Sequence, residues 1–342
     1  MTIAPNLVTR ARVKKFPLGR RWYWAFVAII FSVLEAAPCD GAVALGALGK
    51  FLASHGYGGA QLVHPGNLFR LPINSNGKAG DLVVDTGAST SLIYRASLSK
   101  LGLTVAETEY AVHGAFGKGR EKFGRTTIQS LTMGNCVLLN MPVVVASDKE
   151  GQGIFRRYGS SDGLLGLREM VSYGAVLDLG NRLLFVRPNG PSKEIGAGVR
   201  SILTSQGYAP VKLLSLRSHI HAAGEINGMP CQFVVDTGAF LTGIDREAAA
   251  KARIGGYRTE VTAEGLGPSG GELRLAKFPS LRIGTYEIKN ASATVVKFDN
   301  EVIGRGTDTE DAGLLGAEYL GQNSAVFDFN SGALYLKAKP TR

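Results

Sequence analysis

Beyond residue 56 the chain alternates short apolar runs with Gly, Pro and Asn, the rhythm of β-strands separated by tight turns. Residues 62–63, 68–73 and 82–84 read as strands, with a hairpin turn at Asn76-Gly77, a dipeptide that accepts the positive φ angles of a two-residue loop. Residues 131–133, 137–139 and 143–145 are further strands, and 183–186 closes the series. Helical patterning is sparse: residues 42–54, ended by Gly56, residues 92–101, and residues 247–253. Residues 112–123 carry Gly114, Gly117 and Gly119 and suit a flexible hairpin. The stretch from Pro188-Asn189-Gly190-Pro191 to Gly198 reads as an element breaker and a natural linker. The expected class is all-β with little helix.

The pattern then repeats. Val83-Val84-Asp85-Thr86-Gly87-Ala88 returns as Val234-Val235-Asp236-Thr237-Gly238-Ala239, with the aspartates 151 residues apart in a chain of 342. At the same offset, Phe51-Leu52-Ala53-Ser54-His55-Gly56-Tyr57 matches Ile202-Leu203-Thr204-Ser205-Gln206-Gly207-Tyr208, and Asn76-Gly77 matches Asn227-Gly228. At an offset of 150, Ser130-Leu131-Thr132-Met133-Gly134 matches Ser280-Leu281-Arg282-Ile283-Gly284. Gly163-Leu164-Leu165-Gly166 and Val176-Leu177-Asp178 find Gly313-Leu314-Leu315-Gly316 and Val326-Phe327-Asp328 at that offset too. Ordered blocks at so long a period mean two duplicated domains rather than a solenoid of short units. The boundaries that follow are residues 1–44 for a targeting segment, 45–190 for one lobe, 191–201 for a linker and 202–342 for the other lobe.

A carboxylate on a Gly-turned loop, preceded by apolar strand residues and supplied once by each half, points to a symmetric pair facing each other. Such a pair can activate water without a metal. Here the sequence resembles the aspartic peptidases, pepsin-like in carrying two lobes on one chain, with Asp-Thr-Gly-Ala motifs closer to retropepsins and their bacterial relatives. The resemblance covers nearly the whole chain after the N-terminal segment. It implies two β-barrel-like lobes with the active site at their interface and an endopeptidase that needs no cofactor. Two close carboxylates cannot both ionise easily, so Asp85 and Asp236 would share one proton. One would take a proton from water while the other donates to the peptide carbonyl. Thr86 and Thr237 would reach across the interface, Gly87 and Gly238 would turn the loops, and Leu164-Leu165 and Leu314-Leu315 would pack around them, with Gly166 and Gly316 allowing close approach. Pepsins carry Ser or Thr where this chain has Ala88 and Ala239; losing a hydroxyl donor raises a carboxylate's pKa, which moves the expected optimum toward weakly acidic pH. Ser89 would partly compensate in the first lobe only, since Phe240 takes its place in the second. The Gly-rich segments at 113–119 and 264–270 read as two substrate flaps, with Phe116, Gly117, Leu266 and Gly267 at or near their tips. A non-catalytic peptide-binding protein of the same fold is the alternative, supported by Phe240-Leu241-Thr242 standing where the first half has Ser89-Thr90-Ser91.

Composition narrows the partners. Forty-five glycines suit a turn-rich β protein, and three cysteines without CxxC spacing suit neither a disulfide framework nor a metal site. Cys136 and Cys231 lie in strands of different halves and read as buried thiols. The net charge of +10 is partly N-terminal, where residues 1–44 hold six Lys or Arg against Glu35 and Asp40. No basic run is interleaved with aromatics, so the charge reads as a solvated basic surface rather than a nucleic-acid site; the peptide or protein partner is what the resemblance implies. Residues 22–34 are an apolar run behind Arg20-Arg21, followed by Ala42-Val43-Ala44, which makes an export signal with an A-x-A site. The body of the protein is then expected outside the cytoplasm, periplasmic or secreted, or membrane-anchored if the segment is not cleaved. Too little chain lies between residue 44 and Phe51 for an inhibitory prosegment, and a monomer supplies both aspartates. His113 reads as flap surface, Arg156-Arg157 as a solvated loop, Asp162 and Asp311 as turn formers, and Tyr57 and Tyr208 as packing residues.

Overall fold

The computed structural model describes residues 46–64, 68–111, 122–146, 161–216, 219–263, 271–298 and 311–337. They belong to one compact unit, residues 44–342. Among them no helix is long and apolar enough to cross a membrane. The targeting segment lies outside the described residues.

The protein is mostly β. In the first half six strands close on themselves in the order Arg70–Ser75, Lys78–Val84, Gly163–Leu165, Leu92–Tyr94, Cys136–Ala146 and Lys122–Met133. Closure comes from the pairs Asn74↔Thr132 and Ser75↔Leu131. A seventh strand, Ala106–Ala111, extends the sheet from Lys122–Met133. The second half repeats the circuit through His219–Ile226, Met229–Val235, Asp311–Leu315, Gly243–Asp245, Tyr286–Val296 and Gly271–Ile283, closed by Gly224↔Ile283 and Ile226↔Leu281. Asn76-Gly77 and Asn227-Gly228 make the expected hairpins, with φ of 50° and 85° in one and 51° and 81° in the other. Each Asn also accepts a backbone N–H from the neighbouring strand, from Ser130 at 2.9 Å and Ser280 at 3.2 Å.

A third sheet joins the halves. Gly58–Gln61, Leu183–Val186 and Val176–Asp178 come from the first half; Val326–Asp328, Ala333–Leu336 and Ala209–Leu216 come from the second. The two sets meet antiparallel, with Leu177 opposite Phe327, both fully buried. The matching Val-Leu-Asp and Val-Phe-Asp blocks are thus the seam itself. Burial of this seam fixes one half against the other, because sliding it by a residue would turn every apolar side chain to the opposite face.

Several local expectations are corrected. The linker at 191–201 is largely helix, Lys193–Ser205. Ile195, Val199 and Leu203 recur every four residues and are buried, a helical stripe that outweighs two interior glycines costing about 1 kcal/mol each. Those glycines serve packing: a Cβ on Gly198 would lie 2.2 Å from Phe51 Cζ of the helix Ala47–Ser54, and one on Gly196 2.9 Å from Ser331 Cβ. Residues 92–101 are not a helix but a strand, Leu92–Tyr94, and a 3-10 turn, Arg95–Ser97. Ile93 and Tyr94 are fully buried between Gly163–Leu165 and Val144–Ala146, where a helix would not fit. The two strands read at 137–139 and 143–145 are one, Cys136–Ala146. Cys136 and Cys231 are buried free thiols.

Candidate active site

Each Asp-Thr-Gly loop leaves the end of a buried parallel pair of strands. Lys78–Val84 runs parallel to Gly163–Leu165, and Met229–Val235 to Asp311–Leu315. The ladder continues one step further: the Asp85 and Asp236 N–H groups donate to the carbonyls of Leu165 and Leu315, each at 3.0 Å. Val83, Val84, Val234 and Val235 are almost wholly buried, as are the four leucines of the paired strands. The apolar residues therefore fix where the chain emerges, and the acidic residue is the first one free of the sheet. Gly166 and Gly316 allow the next turn of chain to pass, since a Cβ there would lie 2.3 Å from the Thr90 carbonyl carbon or 2.5 Å from that of Leu241.

The two loops are then locked to each other. Thr86 Oγ1 donates to the Val235 carbonyl at 2.8 Å and accepts the Thr237 N–H at 3.0 Å. Thr237 Oγ1 donates to the Val84 carbonyl at 2.7 Å and accepts the Thr86 N–H at 3.0 Å. Both threonines are fully buried. Four crossed bonds, related by the two-fold repeat, satisfy every polar atom involved and hold the loops in one geometry. Asp85 Oδ1 accepts N–H bonds from Gly87 at 2.8 Å and Ala88 at 3.0 Å; Asp236 Oδ1 accepts the same pair from Gly238 at 2.8 Å and Ala239 at 3.2 Å. The glycines also face the opposite acid. A Cβ on Gly87 would sit 2.5 Å from Asp236 Cγ, and one on Gly238 2.4 Å from Asp85 Cγ. No other residue type fits either place.

The profile of the family described as Aspartyl protease matches residues 71–168 and 222–319, one match per repeat and together more than half the chain. This chain belongs to the aspartyl protease family. Among solved structures it is similar to the aspartic proteinase from Irpex lacteus, with a TM-score of 0.51 and 15% sequence identity over 83% of this chain and 97% of that one. At that identity the likeness is one of fold, and it covers both lobes. No curated protein sequence matches the chain.

In this aspartyl protease the electrostatics of the pair follow from its enclosure. Asp85 has its pKa pushed well above the carboxylate range, first by burial and then by the negative charge of Asp236. Asp236 is raised as well, by burial, but the N–H of Gly238, a hydrogen bond from Asp85 and the nearby His219 oppose the rise. Both carboxylates are thus pushed toward the protonated form, and they titrate as a pair rather than one by one. The donors to each Oδ1 are backbone N–H groups, and Ser89 is exposed. His219, at the start of the strand His219–Ile226, has its own pKa lowered by burial, against the pull of Asp236.

Other supporting residues were not legible in the motifs. Ser91 donates its Oγ to Glu169 Oε2 at 2.7 Å, and its N–H to the same oxygen at 2.7 Å. Ser91 Oγ in turn accepts the Gly166 N–H at 2.9 Å. In the second lobe Thr242 Oγ1 accepts the Gly316 N–H at 3.1 Å, and Glu318 accepts from the Thr242 backbone. Each hydroxyl thus ties its Asp-Thr-Gly loop to the glycine after the paired leucines. The signal available was the recurrence of a hydroxyl at 91 and 242, at the motif offset of 151. The two glutamates hid because Glu169 stands three residues after Gly166 but Glu318 only two after Gly316.

Asp162 and Asp311 are not turn formers. Asp162 is buried, accepts the Asp81 N–H at 3.0 Å and pairs with Lys100 at 2.6 Å; Asp311 opens a strand and lies 3.4 Å from His221 Nε2. Tyr57 packs as expected and donates its hydroxyl to the Gly174 carbonyl at 2.9 Å. The flap residues Phe116, Gly117, Leu266 and Gly267 lie outside the described residues, as do His113 and Arg156-Arg157. The strands on either side of the two segments pair up to Ala111↔Lys122 and Ala263↔Gly271. Among the described residues no cluster of three His, Cys, Asp or Glu could hold a metal.

Proposed function

We propose that the protein is an aspartic endopeptidase that hydrolyses peptide bonds with a water activated between Asp85 and Asp236. The observation that carries this reading is the crossed threonine lock, which brings two buried carboxylates face to face with a glycine of each loop against the other's carboxyl group. The ionised member of the pair takes a proton from the water as it attacks the peptide carbonyl. The protonated member donates its proton to the carbonyl oxygen; as the C–N bond breaks, the proton taken from the water passes to the leaving amine. No cofactor is required, and one chain supplies both carboxylates, so catalysis does not depend on a second copy. The raised pKa values keep one proton on the pair into weakly acidic pH, where the activity is expected to lie. The substrate is a peptide or protein met outside the cytoplasm, reached through the export segment at 1–44.

The test is cleavage of an unfolded protein substrate across acidic to neutral pH, with Asp85→Asn, Asp236→Asn and a statine-type transition-state inhibitor run alongside. Cleavage abolished in all three arms supports the reading. A folded wild-type protein that cuts nothing at any pH in that range sinks it, and leaves a peptide-binding protein of the same fold. Fractionation of cells making the chain with and without residues 1–44 tests the location.

A further inference from the structure

Each catalytic aspartate is faced by one residue of the strand that pairs with its own, and that residue differs between the halves. In the first half Arg70 lies opposite Val83. The next bond in this register, from the Val84 N–H to the Phe69 carbonyl at 2.9 Å, carries the pairing past the end of the strand. One more step sets Leu68 opposite Asp85. In the second half His221 lies opposite Val234, and two more steps set His219 opposite Asp236. Residues directly opposite in an antiparallel pair hold their Cβ atoms about 4.5–5.5 Å apart. Leu68 and His219 are counterparts, separated by the same 151 residues as the aspartates they face. Leu68 is buried and apolar, whereas His219 is half-buried and titratable.

A second contact puts the imidazole in the same place. Its ring lies against the carbonyl of Gly87, and Gly87 is packed on the opposite acid, with a Cβ there 2.5 Å from Asp236 Cγ. Among the described residues the charged groups acting on the ring are Asp236, His221 two places along its own strand, and Asp311 at the start of Asp311–Leu315. His221 and Asp311 pair with each other, His221 Nε2 standing 3.4 Å from the carboxylate. Burial lowers the pKa of His219 and His221 adds to that, while Asp236, the Gly87 carbonyl and Asp311 pull it up. The influence is mutual: His219 opposes the rise that burial imposes on Asp236. Asp85 is raised by burial and by Asp236, and only backbone N–H groups oppose the rise.

We propose that His219 is a positioning residue of the carboxylate pair: standing opposite Asp236 where the first half has Leu68, its imidazolium holds the negative charge of the pair and keeps the pair singly ionised at lower pH than two carboxylates alone. This deepens the peptidase reading and rests on it. As pH falls, the pair stops working when its last ionised member takes a proton. A cation about 4–6 Å away favours the ionised form and postpones that step. The imidazolium acts only while it keeps its proton, so its effect belongs to the acid side of the profile.

The test is the pH dependence of kcat/KM for the full-length protein on one peptide, which reports the ionisations of the free enzyme. Wild type is compared with His219→Leu, which carries the first-half residue, and with His219→Gln, which keeps an N–H for the Gly87 carbonyl without the charge. Both variants are expected to move the acid limb up by about one pH unit and the alkaline limb by much less. An acid limb that stays put, or a rate that falls evenly across the range, overturns the proposal. So does a His219→Gln profile like that of wild type, since the agent would then be the hydrogen bond and not the charge. A second arm needs no activity: the ring signals of His219 are titrated by NMR in wild type, Asp85→Asn and Asp236→Asn. The midpoint is expected to fall in Asp236→Asn, and by more than in Asp85→Asn; an unchanged midpoint in Asp236→Asn overturns the proposal. If wild type cuts nothing while this coupling is seen, the charge partnership stands and the peptidase reading falls.

Discussion

The two Asp-Thr-Gly loops share almost no freedom in one part and almost no likeness in the next. From Asp85 to Ala88 and from Asp236 to Ala239 the bonds that lock the loops and those that the carboxylates accept correspond, and the threonine bonds agree within 0.1 Å. Immediately afterwards Ser89-Thr90 faces Phe240-Leu241, and Arg168 takes the place of Glu318. Duplication gave both halves the same start, so this difference separates what the carboxylate pair requires from what it leaves free. Two carboxylates can share a proton only if both loops hold their geometry together.

The comparison can be broken at its most rigid place first. Gly87→Ala and Gly238→Ala each force a methyl group against the opposite carboxyl group, which must shift to make room. Both are expected to lower kcat by about two orders of magnitude or more, as displacement of reacting groups by an ångström does. Equal losses would support the two-fold argument; a large loss in one and none in the other would break it.

Next come the threonines. Thr86→Val or Thr237→Val removes one hydroxyl and leaves a buried carbonyl and a buried N–H in the other loop unsatisfied. Each is expected to cost about 1–3 kcal/mol of unfolding free energy per orphaned group, seen as a fall in the denaturant midpoint. Near-equal costs are the expected result, because neither lobe has a spare donor for the other.

Smaller and of opposite sign is the effect of easing the carboxylate pair. Both aspartates have folded-state pKa values above the ordinary 3.8, chiefly through burial. As pH rises past 3.8 the unfolded chain gives up these protons before the folded one, so stability declines until the folded values are passed. Asp85→Asn removes the penalty. It should melt higher than wild type at neutral pH, with roughly 2–4 °C for each kcal/mol relieved, and the gap should close below about pH 4. A variant that melts lower at neutral pH would contradict the raised values. The smallest expectation is at the thiols: reductant should leave both activity and melting temperature unchanged, since Cys136 and Cys231 are free and sit in different halves.

The catalytic loops were legible because their demands are local and repeated. An apolar pair, an acid, a hydroxyl and a glycine must follow in that order for the loop to emerge, turn and lock. The Asn-Gly hairpins were legible for the same reason, since positive φ at both positions restricts the residues that can stand there. What stayed hidden depended on partners distant in sequence. Val176–Asp178 and Val326–Asp328 show in the sequence only as a repeated block, and nothing there tells that they pair with each other across the halves. Lys193–Ser205 contains the glycines that mark a linker, and only the approach of Phe51 to Gly198 and of Ser331 to Gly196 explains them. Leu92–Tyr94 is short enough to read either way, and the two neighbouring strands decide it. Glu169 and His219 carry no motif at all; they act where the fold delivers them.

The most direct measurement is a mutant cycle on the dyad: kcat/KM of wild type, Asp85→Asn, Asp236→Asn and the double variant on one peptide at one weakly acidic pH. If the two carboxylates work as a single proton-sharing unit, either substitution alone lowers the rate by about 10³-fold or more and the double variant is no slower than the singles. A single variant that keeps substantial activity, or losses that multiply in the double, would mean that the two halves do not form one catalytic pair.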